Sequence, residues 1–356
     1  MGDVSYATDR KSSMDVGTAL SFAKVGEIRV HRGPISGIAV SPEGRLMVTN
    51  YGADSVSSID AGSAAAVRTL TGLDEPFAIA VAGRRAYVST VTAAYDAIVA
   101  VDIDTNRVVG VHPVACSVRD LAASPTGERV YAGRTAVGGA DLAVLDTGTG
   151  HIDAIGIAAT AGTSTECVRV SPDGRRVYVA TNGASSGKLA VVDTHEKRVV
   201  DTVEIGSPIR DVAPSWDGSK VYVASCGPDF GAVVDVVDTR TNMVAATSKV
   251  AEINGLLVQL ALSRDGARAY LVDDERVTVL NTHTHDIVTS IAVAGAPSCA
   301  VESPDGSHLY VADYAGKVTV FTVASTAAAL LMADDEPTAP HEWVLPELLQ
   351  LEPAMT

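Results

Sequence analysis

One four-residue turn recurs along the chain with an apolar run on either side, and that recurrence leaves few folds open. Its fullest form is Ser171-Pro172-Asp173-Gly174 followed by Tyr178-Val179-Ala180, repeated as Ser303-Pro304-Asp305-Gly306 followed by Tyr310-Val311-Ala312. Ser124-Pro125-Thr126-Gly127 leads to Tyr131, Ser215-Trp216-Asp217-Gly218 to Tyr222, and Ser263-Arg264-Asp265-Gly266 to Tyr270. Ser41-Pro42-Glu43-Gly44 opens the series ahead of Met47-Val48, and a shortened copy, Ala82-Gly83-Arg84-Arg85, precedes Tyr87-Val88. The seven turn glycines are 39, 44, 47, 44, 48 and 40 residues apart. Each residue type has a mechanical reason to be there. Proline presets φ at the first central position, the acid accepts local hydrogen bonds, and glycine takes a positive φ.

The flanks supply the rest of a repeating unit. A third apolar run ends in Asp-Thr or an equivalent, as in Ile98–Asp102, Leu142–Asp146, Leu189–Asp193, Val234–Asp238 and Val277–Asn281, and a fourth follows a polar turn. Four short strands in about 40–48 residues describe one propeller blade. The 3.6-residue periodicity of a helical solenoid is absent. Aromatic residues make up only 4% of the chain, so strands packed through Val and Ala fit better than an aromatic core. The reading is an all-β, seven-bladed β-propeller with four antiparallel strands per blade. Segment 24–30 has the fourth-strand pattern but precedes the first full unit. It is expected to complete the last blade, so that the ring has no open edge. The domains expected are an N-terminal extension over 1–23, the propeller over 24–323, and an acidic tail over 324–356.

The Ser-Pro-Asp-Gly turn with Tyr-Val after it and Val-Asp-Thr downstream resembles the YVTN-repeat β-propeller family over about residues 24–323. The Trp-Asp and Gly-His pairs of WD40 blades and the double glycines of kelch blades are missing. Within the family, the Ala- and Val-rich composition and the acidic tail are similar to a cytoplasmic mycobacterial propeller. That resemblance implies an accessory factor of the exporter of a mycolic acid precursor, trehalose monomycolate. It implies a membrane transporter complex as partner, met from the cytoplasmic side.

Charge narrows the partners. The net charge is −16; residues 1–24 are neutral overall and residues 324–356 carry six acids and no Lys or Arg, which leaves −10 on the body. Such a body repels phosphate backbones and anionic lipid, so neither nucleic acid nor direct membrane insertion is expected. No run reaches the roughly 18 apolar residues of a membrane span, and the first residues lack the apolar stretch of a secretory leader. Cys116, Cys167, Cys226 and Cys299 form no C-x-x-C pair and fit no zinc spacing. A monomeric cytoplasmic protein with free thiols and no cofactor or metal is the expectation.

Binding residues are sought where the repeats differ. The position five before each turn Ser, or before Ala82 in the second unit, holds Ser36, Phe77, Arg119, Glu166, Arg210, Val258 and Ser298. The next position holds Gly37, Ala78, Asp120, Cys167, Asp211, Gln259 and Cys299. The first strand of a blade lines the central channel. Arg119, Asp120, Glu166, Arg210, Asp211 and Gln259 are therefore the candidate ligand or partner residues at the channel mouth. Two readings stand: a polar pocket for an anionic molecule or peptide, and a hydrated ion-pair network that fixes blade register. Catalytic motifs are absent. There is no G-x-S-x-G elbow and no His-Glu-x-x-His, and His151, His195, His283 and His285 fall in separate rim turns, too far apart to share a metal. In the tail, Trp343, Leu345, Leu348 and Leu349 form a short apolar run among acids, a candidate partner-docking motif. The functional expectation is a non-catalytic interaction scaffold. The alternative is a lactonase-like hydrolase or small-ligand binder using the top of the channel.

Overall fold

The computed structural model describes residues 20–325 except 31–32, 61–66, 93–94, 116, 185, 228–230, 251–252 and 254. The chain divides into a propeller unit, Phe22–Val323, and a second unit made of Met1–Ser21 and Ala324–Thr356, of which only residues 20–21 and 324–325 are described. Trp343, Leu345, Leu348 and Leu349 lie outside the described residues.

Strand β1 (Leu20–Arg29) comes first. Blade 1 is β2 (Ile35–Val40), β3 (Arg45–Asn50), β4 (Ser55–Asp60) and β5 (Val67–Thr71). Blade 2 is β6 (Ile79–Ala82), β7 (Arg85–Val91), β8 (Asp96–Asp102) and β9 (Arg107–Val114). Blade 3 is β10 (Ser117–Ala123), β11 (Arg129–Ala136), β12 (Gly139–Asp146) and β13 (Ile152–Ala158). Blade 4 is β14 (Ser164–Val170), β15 (Arg176–Asn182), β16 (Gly187–Asp193) and β17 (Arg198–Ile205). Blade 5 is β18 (Ile209–Pro214), β19 (Lys220–Cys226), β20 (Ala232–Asp238) and β21 (Met243–Val250). Blade 6 is β22 (Leu257–Leu262), β23 (Arg268–Asp273), β24 (Arg276–Asn281) and β25 (Ile287–Ala292). Blade 7 takes β26 (Pro297–Glu302), β27 (His308–Asp313) and β28 (Lys317–Ser325), and its fourth strand is β1, in the order β1-β28-β27-β26. The strand from the start of the chain thus completes the last sheet, as the sequence pattern predicts. Thr322 Oγ1 donates to the Ala23 carbonyl at 3.2 Å, and the Val30 N–H donates to the Gly316 carbonyl at 3.0 Å.

The recurring turn is built as its chemistry requires. The N–H of the turn glycine donates to the turn Ser carbonyl at 2.9 Å in all six full copies, and those glycines have φ between +69° and +82°. The Ser hydroxyl accepts the N–H of the first residue of the following strand, for example Arg176 onto Ser171 at 2.9 Å. It also donates to the turn acid, as from Ser303 to Asp305 at 2.5 Å. These bonds draw the Asp217 and Asp305 carboxyls down to about 2. The downstream Asp-Thr pair locks the outer turn to the inner one. Thr194 Oγ1 reaches the Gly174 carbonyl at 2.9 Å, and Thr239 Oγ1 reaches that of Gly218 at 2.7 Å. The motif is therefore a clamp between the two turns at one end of a blade.

The core lies between blades, where facing sheets interdigitate. Cys167, Tyr178, Val191 and Ile205 of blade 4 pack on Ile209, Val212, Val223 and Val237 of blade 5. Ile28 of β1, with Tyr310 and Val320 of blade 7, packs on Ile35, Leu46 and Ile59 of blade 1. Tyr87, Tyr131, Tyr178 and Tyr270 are among the largest fully buried side chains, which explains the repeated tyrosine. The joint between blades 6 and 7 is partly polar. Glu302 of blade 7 accepts from the Tyr270 hydroxyl at 2.6 Å and from Arg268 at 3.1 Å, and it also accepts the Arg264 N–H of blade 6. Ring closure can be tested at Ile28. Ile28→Ala should cost about 2–5 kcal/mol in urea denaturation, as a large-to-small change in a core does. Val25→Ala, on the same strand but 57% exposed, should be close to neutral.

Candidate functional site

The antiparallel order puts the connections between second and third strands, and between consecutive blades, at one end of every blade. The Ser-x-Asp-Gly turns occupy the other end. Neighbouring blades meet through their first strands, β2, β6, β10, β14, β18, β22 and β26, which form the inner wall. The aligned position on that wall has a distinctive geometry. In six blades its residue is skipped by the pairing register: Ser36, Arg119, Glu166, Arg210, Val258 and Ser298 are each the extra residue of a β-bulge. A bulge re-aims a side chain out of the ladder, which is how a strand can present charge at a channel. Phe77 takes the place in blade 2, just ahead of β6, with its N–H on the Ser89 carbonyl at 3.0 Å.

After three of the bulges the next residue ties one blade to the next. Asp120 Oδ2 accepts the Val168 N–H of blade 4 at 2.9 Å. Asp211 Oδ2 accepts the Leu260 N–H of blade 6 at 3.0 Å, and Gln259 Oε1 accepts the Ala300 N–H of blade 7 at 2.6 Å. The remaining oxygens of the two aspartates turn inward, to Leu121 N–H at 2.9 Å and Val212 N–H at 2.7 Å. Between the aspartates stands Arg169, which donates to Asp120 at 2.5 Å and to Asp211 at 2.6 Å. Burial alone would lower the Arg169 pKa, but the Asp211 and Asp120 carboxylates outweigh it and raise it. Burial pushes the Asp211 carboxyl up, and Arg169 with two backbone N–H groups pulls it part of the way back. One cation and two anions therefore span blades 3, 4 and 5 in a three-point tie.

Arg169 is absent from the two aligned columns that mark the mouth, yet the sequence carries a signal for it. Three positions after the bulge residue the seven repeats read Ala39, Ala80, Ala122, Arg169, Ala213, Ala261 and Val301. One arginine among small apolar residues is the irregularity that marks it.

Arg119, Glu166 and Arg210 differ from this tied group. Arg210 Nη1 stands 4.0 Å from Glu166 Oε1, and its Nε donates to the Cys226 sulfur at 3.3 Å. The Arg119 guanidinium lies over the Phe77 ring at 5.5 Å, and Phe77 meets Tyr51 edge-on at 6.4 Å. Burial raises the Glu166 carboxyl above its ordinary range despite the opposing pull of Arg119 and then Arg210. The structure thus joins Asp120 to Asp211 through Arg169, and brings Glu166 to Arg210. Gln259 stands at a separate joint.

Among the described residues no three His, Cys, Asp or Glu side chains are grouped to hold a metal, and no helix is long and apolar enough to cross a membrane. Cys167, Cys226 and Cys299 are free thiols; burial pushes Cys299 up to about 12 and Cys167 well above its usual value. Those two thiols therefore behave as small apolar groups rather than nucleophiles.

The mouth end also carries exposed apolar side chains. In connections between second and third strands these are Tyr51 (40% exposed), Tyr95 (48%), Val137 (97%) and Tyr314 (47%); Leu256 (48%) stands in the connection into blade 6. At the opposite end Trp216 is half exposed, but its indole N–H reaches the Ser263 carbonyl at 2.7 Å and Arg264 stacks on it at 4.6 Å.

No protein-family model matches the chain. The seven-bladed beta-propeller protein Rv1057 of Mycobacterium tuberculosis (strain ATCC 25618 / H37Rv) is 47% identical, in an alignment covering 96% of this chain and 95% of that one. Among solved structures, a chain of Kuenenia stuttgartiensis hydrazine synthase superposes with a TM-score of 0.75 at 22% identity, over 84% of this chain and 98% of that one, a likeness of fold.

The tie through Arg169 has a measurable consequence. Arg169→Met leaves Asp211, with a side chain only 4% exposed, as an uncompensated buried charge, a loss of about 3 kcal/mol or more. The folded-state pKa of Asp211 then rises further above the unfolded value. A carboxyl with a raised folded pKa takes up its proton more readily in the folded state, so it costs stability above that pKa and the cost disappears as pH falls through it. The deficit of the variant against wild type in urea should be largest at neutral pH and smaller at pH 5.

Proposed function

This chain belongs to the family of the seven-bladed β-propeller protein of Mycobacterium tuberculosis, and we propose that it acts as a non-catalytic protein-interaction scaffold whose docking face is the mouth end of the ring. One observation carries the reading: Tyr51, Tyr95, Val137, Leu256 and Tyr314 are exposed in the connecting segments of that one end. Large, half-exposed aromatics on loops held by a rigid frame are what protein interfaces draw their binding energy from. Of the mouth charges, Asp120, Arg169 and Asp211 are committed to joints between blades, which suits a rigid frame.

The client in this reading is an inner-membrane complex that exports a mycolic acid precursor, met from the cytoplasmic side by a monomeric propeller. Support comes from the resemblance in composition and repeat pattern, and from the acidic body, which disfavours direct contact with anionic lipid. The apolar run Trp343, Leu345, Leu348 and Leu349 is a second candidate contact on the same client. Tagged full-length protein should capture a membrane transporter from detergent extracts of an actinobacterium. The triple variant Tyr51→Ala, Tyr95→Ala, Tyr314→Ala should lose about tenfold or more of that capture, as hot-spot truncations do, with an unchanged melting temperature. Capture that is indifferent to the triple variant would remove the mouth end as the docking face. Capture of no transporter would remove the export complex as client.

A second reading is a lactonase-like hydrolase or small-ligand binder at the channel mouth, favoured by one feature. The raised carboxyl of Glu166 has the character of a general acid. Turnover of lactones abolished by Glu166→Gln would establish it, and a flat substrate screen would dismiss it.

A further inference from the structure

We propose that the channel mouth across blades 3 to 5 is a carboxylate-binding subsite, in which Arg119 and Arg210 clamp an incoming carboxylate and Glu166 is the internal group that it displaces. The three arginines near the mouth are not in the same state. Arg169 has two hydrogen-bonded carboxylates. Among the described residues Arg210 has none: its contact with Glu166 is 4.0 Å, beyond a hydrogen bond, and its Nε is spent on a thiol sulfur, a weak acceptor. Arg119 is exposed and, among the described residues, lies against the face of Phe77, which accepts no in-plane N–H. A guanidinium carries five donors in a fixed fork that matches a carboxylate. Two such forks, on equivalent bulges two blades apart, therefore stand over the mouth with donors to spare.

Glu166 marks where an incoming anion would sit. It occupies the bulge of the blade between them, its side chain is 17% exposed, and both guanidiniums act on its charge. Yet among the described residues its carboxylate accepts no hydrogen bond. It is a poorly satisfied stand-in that a better-placed carboxylate can replace. The wall beside Arg119 is aromatic, with Phe77 under the guanidinium and Tyr51 against Phe77. The ligand class that fits is a carboxylate attached to an apolar or aromatic body. It can come as a free organic acid or as an acidic side chain of a protein segment. The subsite needs no partner protein to exist, so its test and the membrane-capture test fail independently.

The experiment uses the purified full-length chain and isothermal titration at low salt. The probes are phenylacetate, its neutral methyl ester, and an acetylated hexapeptide containing Glu-Phe. Phenylacetate, the peptide or both should bind, the ester should not, and which of the first two binds tells the source of the carboxylate. Arg119→Ala and Arg210→Ala should each weaken binding about tenfold, the loss expected for one charge-assisted clamp. Glu166→Gln keeps the shape, removes the competing charge, and should tighten binding. The proposal is overturned if neither carboxylate binds wild type or Glu166→Gln, or if the ester binds as well as the acid. The ester comparison needs no variant to fold.

Discussion

The pairing of β1 with β28 is the bond on which the ring depends. Each blade buries its faces only against its two neighbours, so a ring missing one sheet edge would leave blades 7 and 1 without cover. The start of the chain supplies the missing strand, and Ile28 then joins Tyr310 and Val320 against Ile35, Leu46 and Ile59. A long-range hydrogen-bonded ladder thus does for the whole ring what a short turn does for a hairpin. Once the ring is closed, the first strands are held side by side around a common axis, and everything at the mouth follows from that proximity.

Proximity alone would bring backbones together without joining them. The joints are made by side chains that follow the bulges: Asp120, Asp211 and Gln259 accept the N–H groups of the next blade, and Arg169 holds the two aspartates. A bulge frees one side chain from the ladder and makes the next one available as an acceptor. The same device gives two outcomes. Where the freed residue is Ser36, Val258 or Ser298 it adds no charge at the mouth. Where it is Arg119, Glu166 or Arg210 it places charge there beyond what the joints consume. That charge, with Arg119 set over Phe77 and Arg210 beside Glu166, is what makes the mouth chemically distinct from the rest of an acidic protein.

The two ends of the ring divide the work. One end carries Ser-x-Asp-Gly turns whose polar groups are spent on one another, so the repeat that reveals the fold is silent about binding. The other end carries connections of unequal length, which hold Tyr51, Tyr95, Val137, Leu256 and Tyr314 in the open. A rigid ring that varies its loops at one end while similar turns recur at the other can change what those loops present without loosening the ring.

What the sequence determined by itself was local and periodic. The turn chemistry, the alternation of the strands and the seven-fold count fixed blade number and strand order, because each depends on residues within a few positions of one another. Even closure was legible, since segment 24–30 has a strand pattern and no blade of its own. The charged pairs Arg119-Asp120 and Arg210-Asp211 were also visible, as irregularities in one column. Their division of labour was decided only by the tertiary structure. Neighbours in sequence face different partners there, Asp120 a backbone N–H and an arginine 49 residues away, Arg119 an aromatic face in blade 2. Arg169 was decided there too, because a buried cation is intelligible only once two carboxylates from separate blades stand within hydrogen-bond reach of it, and ring closure alone brings them there.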